Sequence, residues 1–415
     1  MMKYFRSAVL ALLLVCLPAL AVGAEAVPDA GESKAAGQYL RGSDLFQKGE
    51  YTGAAHWLLK AAEQGYAPAQ RDLGLLYKAG AGVPQSDAKA LELFKQAAAQ
   101  NDAEAMYHLG FLYFDAAEPD YAKVAEAWRN AAGLGWEPAA YSLGGFYYHG
   151  YIGAPDYDAA IVWYEKAYEL GSSAAAYELG LLYMHDPQGV KAYDTGRAWL
   201  EKAAERGNTG AKYVLGLLYF NGEMVERNFA KARSYLEATA ADETFAYAYP
   251  EGMYCLGSLY AQGLGGDTDY VRALECYESA AMQSNVLAQF NLANMYYAGQ
   301  GLGQKDLHQA YIWFNLAADA GMAEAKEQVA VMERELGFND LGQVQVTLAR
   351  AYFFGTGGRP DHVKAYGRLI IARELDQNVA EMLSTLSGLT EAERARGEQM
   401  AREWLEAAGV DGSGY

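Results

Sequence analysis

Ala69-Gln70-Arg71-Asp72-Leu73-Gly74-Leu75-Leu76-Tyr77-Lys78-Ala79-Gly80-Ala81-Gly82 is the stretch on which the reading of this chain turns. It places a small residue, a leucine and a tyrosine at i, i+4 and i+8, on one face of an α-helix. The same triplet returns as Ala105/Leu109/Tyr113, Ala139/Leu143/Tyr147, Ala175/Leu179/Tyr183, Ala211/Leu215/Tyr219, Gly252/Leu256/Tyr260 and Ala288/Leu292/Tyr296. Successive leucines are separated by 36, 34, 36, 36, 41 and 36 residues. A glycine follows the leucine in every copy except the last, where Ala293 stands. Glycine inside a helix costs about 1 kcal/mol against alanine, so its recurrence predicts that a neighbouring helix backbone passes close by.

Each tyrosine is followed by a glycine-bearing turn, such as Gly80-Ala81-Gly82-Val83-Pro84 or Gly299-Gln300-Gly301-Leu302-Gly303. A second helix then carries an apolar pair near its middle: Trp57-Leu58, Leu93-Phe94, Trp163-Tyr164, Trp199-Leu200, Tyr235-Leu236 and Trp313-Phe314. It closes on small residues and a glycine, as in Ala203-Ala204 and Gly207, where glycine suits the left-handed position that ends a helix. One such hairpin has too little apolar surface to stand alone, and stacking its neighbours buries leucine, tyrosine and tryptophan in a continuous core. The fold class expected is all-α, a right-handed α-solenoid of stacked antiparallel two-helix repeats.

The motif Ala-x-x-x-Leu-Gly-x-x-Tyr-x-x-Gly-x-Gly, met in full from Ala69 to Gly82, resembles the first half of the Sel-1-like repeat, a relative of the tetratricopeptide repeat. Arg197 to Gly207 resembles most of its second half. The resemblance covers residues 38–321 and implies about eight helix pairs: a first hairpin at 38–65, full repeats at 66–101, 102–135, 136–171, 172–207, 208–248 and 249–285, and an eighth at 286–321. The longer spacing of 41 marks an insertion near Thr239–Pro250. Beyond 321 the register loosens, and residues 322–407 are expected to form a divergent helical cap. Its last helix, Thr390–Ala407, opens on a Thr390/Glu393 capping box. Residues 25–37 and 408–415 are expected to be flexible.

Met1 to Arg6 carries Lys3 and Arg6, an apolar run extends from Ala8 to Val22, and Val22-Gly23-Ala24 supplies small residues. That layout is expected to be a secretory signal peptide, residues 1–24, cleaved after Ala24 and directing the chain to the periplasm or the exterior. The formal charge is −19, from 33 basic and 52 acidic residues. Without Lys3 and Arg6 it becomes 31 − 52 = −21. Such a charge repels nucleic acid and anionic lipid surfaces and favours basic partners.

Few residues carry independent chemistry. Cys255 and Cys276 share one repeat on either side of the Gly263–Gly266 turn, at similar heights of the hairpin. Either they form a disulfide, which needs facing side chains and a Cα gap below ~7 Å, or they are two small hydrophobes. The residues equivalent to Cys255 are mostly polar, which predicts that it points outward. His149 and His185 hold one position in consecutive repeats. That slot holds Ala79, Asp115, Asn221, Gln262 and Ala298 elsewhere, so it reads as an exposed helix edge, with no third ligand to make a metal site. Gly263-Leu264-Gly265-Gly266-Asp267-Thr268-Asp269 lacks the Gly-Lys-Ser/Thr of a P-loop and the distal Glu of a calcium loop, and reads as an ordinary inter-helix turn. No catalytic motif and no cofactor-binding motif is found.

The expected function is therefore binding rather than catalysis: a scaffold or regulator in the cell envelope that takes a protein or peptide partner on its concave face. Tyr148, Tyr151, Phe220 and Tyr297 stand beside the fixed positions and are candidate anchor residues, since tyrosine offers large amphipathic contact area. The resemblance implies the same class, because members of the family act as adaptors in envelope signalling, polysaccharide export and host interaction. The alternative is a glycan-binding protein that stacks aromatics on sugar rings. A weak β-lactam hydrolase, implied by some cysteine-rich relatives, lacks here both the regular cysteines and a nucleophile.

Overall fold

The computed structural model describes residues 32–185, 192–242 and 249–409. The expected signal peptide, the middle of the 239–250 insertion and the last residues of the tail lie outside these. The chain divides into two compact units, residues 1–170 and 171–415. In the first unit the helices are α1 Glu32–Gln47, α2 Tyr51–Ala62, α3 Ala67–Ala79, α4 Asp87–Ala98, α5 Ala103–Phe114, α6 Tyr121–Gly133, α7 Glu137–Tyr148 and α8 Tyr157–Glu169. They pack as four successive hairpins, each laid on the next. The second unit continues with α9 Ser173–His185, α10 Tyr193–Glu205, α11 Thr209–Asn221, α12 Phe229–Ala240, α13 Pro250–Gln262, α14 Tyr270–Met282, α15 Val286–Ala298 and α16 Leu307–Asp319, again paired in order. It ends with α17 Ala323–Glu335, α18 Phe338–Phe354, α19 His362–Glu374, α20 Ala380–Thr385 and α21 Glu391–Ala407. All the described regular structure is helical.

The boundaries follow from local chemistry. Second helices start on short polar caps whose side chains accept a backbone N–H three residues on: Ser86, Asp120, Asp156, Asn228, Asp269, Asp306 and Asp361. First helices commonly end on a left-handed glycine, as at Gly80, Gly222, Gly263 and Gly299. The expected capping box at Thr390/Glu393 is present in full.

The glycine beside the leucine is explained by a side chain, where a helix backbone was expected. In each hairpin the second member of the apolar pair lies against it. A Cβ on Gly74 would stand 2.7 Å from the Phe94 ring, on Gly180 2.6 Å from Leu200, on Gly216 2.7 Å from Leu236 and on Gly257 2.8 Å from Tyr277. Trp128 fills the same place over Gly110, and Tyr164 over Gly144. In the first hairpin, which has no Leu-Gly pair, Gly42 takes the role, with Leu58 at 2.8 Å. Around this contact the small residue and the leucine are sealed: Ala69, Ala139, Ala175, Ala211 and Ala288 are fully buried, with Leu73, Leu143, Leu179, Leu215 and Leu292. Gly252 replaces alanine because the Tyr213 ring lies where its Cβ would be, at 2.9 Å.

Two expected boundaries move. The first helix begins at Glu32 and not at Gln38, so 32–37 is helical where a flexible segment was expected. The region 322–407 is not wholly divergent, because α18 and α19 form another regular hairpin. Leu348-Ala349, Tyr352, Gly355 and the cap Asp361 repeat the motif, and α17 is interposed before them. Polar contacts tie this end together. Tyr311, fully buried, donates to Glu333 (3.0 Å) and accepts from Gln345 (3.0 Å), while Trp404 Nε1 donates to the same Glu333 (2.7 Å). Arg368 donates to Asn315 (3.0 Å) and Gln345 (3.2 Å), and Tyr352 donates to Asp319, which also pairs with Lys364 (3.2 Å).

The glycine contact makes a sharp prediction. Gly74→Ala places a methyl group against a ring that is buried in the core, and is expected to destabilise the first unit by about 1–3 kcal/mol. Gly133→Ala, at a helical position with nothing within 4 Å, is expected to raise stability by about 0.5–1 kcal/mol. Urea unfolding of both variants checks the pair, and equal effects would show that the glycine is there for another reason.

Candidate functional site

On a first helix the core side is set by the leucine, so residues two before and two after it lie on the far side, roughly 160–200° round the axis. Two before the leucine stand Tyr107, Tyr141, Tyr177, Tyr213 and Tyr254, with Arg71 and Phe290 at the ends of the row. Two after it stand Leu75, Phe111, Leu181 and Leu217. All of these are half-buried. Within each unit, the open face of the first helices is thus an aromatic and aliphatic surface.

Several of the tyrosines hold successive first helices together. The Tyr107 hydroxyl meets Ser142 Oγ at 3.3 Å, Tyr177 covers Gly210, and Tyr213 covers Gly252 and lies 4.7 Å, ring to ring, from Tyr249. Burial, with the Glu251 carboxylate behind it, pushes the Tyr213 hydroxyl well above the usual range; burial also raises the hydroxyls of Tyr107 and Tyr177. At the start of the row Arg71 pairs with Asp72 (2.9 Å), Glu104 (3.1 Å) and Asp102 (3.3 Å). Burial works against that guanidinium, and the three carboxylates outweigh it and hold its pKa up. Burial also works against the Glu104 carboxylate, which is nevertheless held below its ordinary value by His108, 3.7 Å away, and by Arg71.

A second recurring contact lies at the hairpin turns. The tyrosine four after the leucine carries on its face a cation from the start of the second helix: Lys89 over Tyr77 (4.8 Å), Lys123 over Tyr113 (5.6 Å), Lys231 over Tyr219 (4.8 Å), Arg272 over Tyr260 (5.6 Å) and Lys364 over Tyr352 (5.4 Å).

The candidate anchors are placed as follows. Tyr148 is 37% exposed, edge-on to Tyr157 at 5.6 Å. Phe220 is half-buried and makes the matching contact with Phe229 at 6.1 Å. Tyr297 donates to the Glu335 carboxylate (2.9 Å), with Lys305 over its ring at 4.8 Å. Tyr151 is tucked into the stack, face to face with Phe146 (5.3 Å) and edge-on to Phe114 (5.1 Å), and burial raises its hydroxyl pKa. Each therefore has contacts within its own unit.

Cys255 and Cys276 are free, buried thiols, and burial pushes each up to about 12. Cys255 does not point outward as expected. It is 4% exposed, within electrostatic reach of Tyr213 on α11. His149 and His185 are exposed, and no group of three or more metal-ligating side chains occurs among the described residues. The Gly263–Asp269 turn is structural: Arg233 donates to the Asp267 carbonyl (2.9 Å), and Asp269 caps α14. No helix among the described residues is long and apolar enough to cross a membrane.

The family profile of the Sel1 repeat matches residues 35–66, 67–102, 103–128, 137–172, 173–208, 210–242, 250–285, 286–322 and 344–367, the last of these lying in the α18–α19 hairpin. Among solved structures, the chain is similar to a protective antigen present in uropathogenic Escherichia coli strains and displaying an SLR fold. That likeness is 26% identity over 91% of this chain and 93% of that one, with a TM-score of 0.61. A Sel1 repeat protein from Oxalobacter formigenes shares the fold at 24% identity, over 77% of this chain and 99% of that one, with a TM-score of 0.54. Among curated proteins, 67 residues are 45% identical to HRD3A of Arabidopsis thaliana, an ERAD-associated E3 ubiquitin-protein ligase component; they make up 16% of this chain and 10% of that protein. This chain thus spans about a tenth of the length of the curated relatives it matches.

The buried hydroxyls set the response to alkali. Tyr39, Tyr277 and Tyr311 are each pushed up to about 12, burial being the largest cause. Because the folded value lies above the unfolded ~10, the stability these groups contribute is complete below about pH 10 and is lost as the pH rises towards about 12. The thermal midpoint is expected to fall across that window, with part of the tyrosinate absorbance withheld until the protein unfolds. Full ionisation of all 33 tyrosines near pH 10 with the fold intact would contradict this.

Proposed function

This chain belongs to the Sel1 repeat family, and we propose that it works as a non-enzymatic scaffold that holds a protein partner on the open face of its first helices. The observation that carries this is the set of tyrosines and aliphatic side chains on that face within each unit, Leu75, Tyr107 and Phe111 in the first and Leu181, Tyr213 and Leu217 in the second. Half-buried aromatics held rigid by their neighbours lose little conformational entropy on contact, which suits them to protein recognition. The charge of −19 favours a partner with a basic segment and speeds its encounter. The 1–24 segment supports export to the cell envelope, and the protective antigen similar to this chain is in keeping with a surface or envelope setting.

A photo-crosslinking residue in place of Leu75, Leu181 or Leu217 is expected to trap the same partner from intact cells, while one in place of Val162, on a second helix, traps none. Equal labelling at both kinds of position, or none at the first, would sink this reading. Leu75→Glu and Leu217→Glu are each expected to weaken the recovered complex by roughly tenfold.

A further inference from the structure

Three turns of this array seat directly on the repeat before them. At Gly82, Gly265 and Gly301 the chain has a positive φ, and a Cβ there would strike the backbone of the first residue of the preceding second helix: Tyr51, Phe229 and Tyr270 in turn. The matching residue in the turn between α11 and α12 is Met224, which also has a positive φ, 64°. Only a residue without a Cβ fits the seated position, so this turn stands off from α10, whose first residue is Tyr193. A cavity of about 450 Å³ opens at that junction, with Asp194, Arg197, Tyr219, Met224, Arg227 and Lys231 on its wall together with Val225, Glu226 and Asn228. A side chain held at a positive φ is costly and persists only where its surroundings fix it.

The charges on the wall are not equivalent. Arg197 is engaged by Glu201 (2.9 Å) and Asp194 (3.4 Å), and the Tyr219 hydroxyl donates to Glu201 (3.1 Å) while accepting from Lys231 (3.3 Å). Among the described residues, Lys231 and Arg227 have no carboxylate within ion-pair distance. Arg227 directs Nε and Nη2 at the Asn221 carbonyl (3.3 and 3.0 Å) and keeps further N–H donors; Lys231 keeps ammonium protons beyond the one given to Tyr219. Both heads are steadied over rings, Lys231 over Tyr219 at 4.8 Å and Arg227 over Phe229 at 5.7 Å, contacts that position a cation without neutralising it.

We propose that this cavity binds an acidic side chain of a peptide segment, its carboxylate taken by Lys231 and Arg227 and its methylene groups lying on Met224 and Val225. The wall is mainly polar, and the cavity's volume together with the Met224 and Val225 side chains leaves room for methylene groups beside the carboxylate. The site lies at the turns, away from the open first-helix face, and stands whether or not that face binds a partner.

The test uses the full chain and a fluorescein-labelled, C-terminally amidated hexapeptide with a single glutamate among glycines, followed by anisotropy at moderate ionic strength. Saturable binding is expected, weakened about tenfold or more in the Lys231→Gln/Arg227→Gln double variant and retained in Lys231→Arg. Met224→Gly lets the turn seat and close the cavity, so it is expected to raise the thermal midpoint and abolish binding. Unsaturable binding, equal binding by the double variant, or binding unchanged in Met224→Gly with a raised midpoint would overturn the proposal. So would complete displacement of the peptide by millimolar inorganic phosphate, which would mark a site for small oxyanions.

Discussion

Most hairpins of this molecule depend on one contact, a large side chain of the second helix lying on a bare glycine of the first. Burying a ring such as Phe94 contributes roughly 1.5–3 kcal/mol, whereas a helical glycine costs about 1 kcal/mol against alanine, so the exchange favours the pair. The contact also fixes the hairpin in three dimensions. With the helices brought that close, the alanine five residues earlier and the leucine beside the glycine are fully enclosed. The tyrosine three residues later is brought to the turn, where the cation at the start of the second helix can cover it. Stacking then needs only a repeated surface, which is why one spacing can propagate along the chain.

That logic is visible in the sequence as far as it is periodic. The helix face of Ala69, Leu73 and Tyr77, the polar caps before second helices and the box at Thr390 are one-dimensional patterns, and the structure follows them. The glycine was legible as a close approach, but not what approaches it, because Phe94 and Gly74 are related through a turn whose geometry the spacing leaves open. The hairpin at α18 and α19 carries a recognisable Leu348-Ala349 and Tyr352. It was obscured because α17 intervenes and stretches the leucine interval from Leu292 to Leu348 to 348 − 292 = 56 residues. The tyrosine row two before the leucine lay in the same frame as the motif, but Arg71 and Phe290 interrupt it at the ends, and its position on the helix is informative only once the core side is known. Tyr151, Phe220 and Tyr297 show the opposite limit: each is non-periodic in kind, yet its contacts come from turns and neighbouring helices that a spacing rule does not reach.

The far end of the second unit holds together differently. Where the repeat rhythm is broken by α17, apolar packing around Ile370, Ile371 and Leu375 is joined by a shared set of hydrogen bonds. Glu333 of α17 accepts from Tyr311 of α16 and from Trp404 of α21, and Arg368 of α19 joins Asn315 of α16 to Gln345 of α18. Networks of this kind reinforce one another in a low-dielectric setting and penalise any member left unpaired. They specify one arrangement of helices that have no common period to specify it. The irregular end is therefore as defined as the regular stack, by polar complementarity in place of repeated packing.

The same distinction between long-range and local terms governs charge. The excess of acidic groups acts at a distance and is screened over ~8–10 Å at moderate ionic strength, so it sets which molecules approach, not what a given cavity holds. Most cations near the motif are absorbed locally: Arg71 by three carboxylates, Arg197 and Arg233 by the glutamate one turn on. Lys231 and Arg227 differ because the turn that holds Arg227 and leads into the helix of Lys231 borders open space beside Met224, which leaves both over rings and facing a cavity. An acidic surface with a small cationic opening discriminates by contact geometry. A diffuse anion is repelled before it arrives, and a single carboxylate on a flexible segment reaches the opening with little of its own charge exposed to the surrounding field.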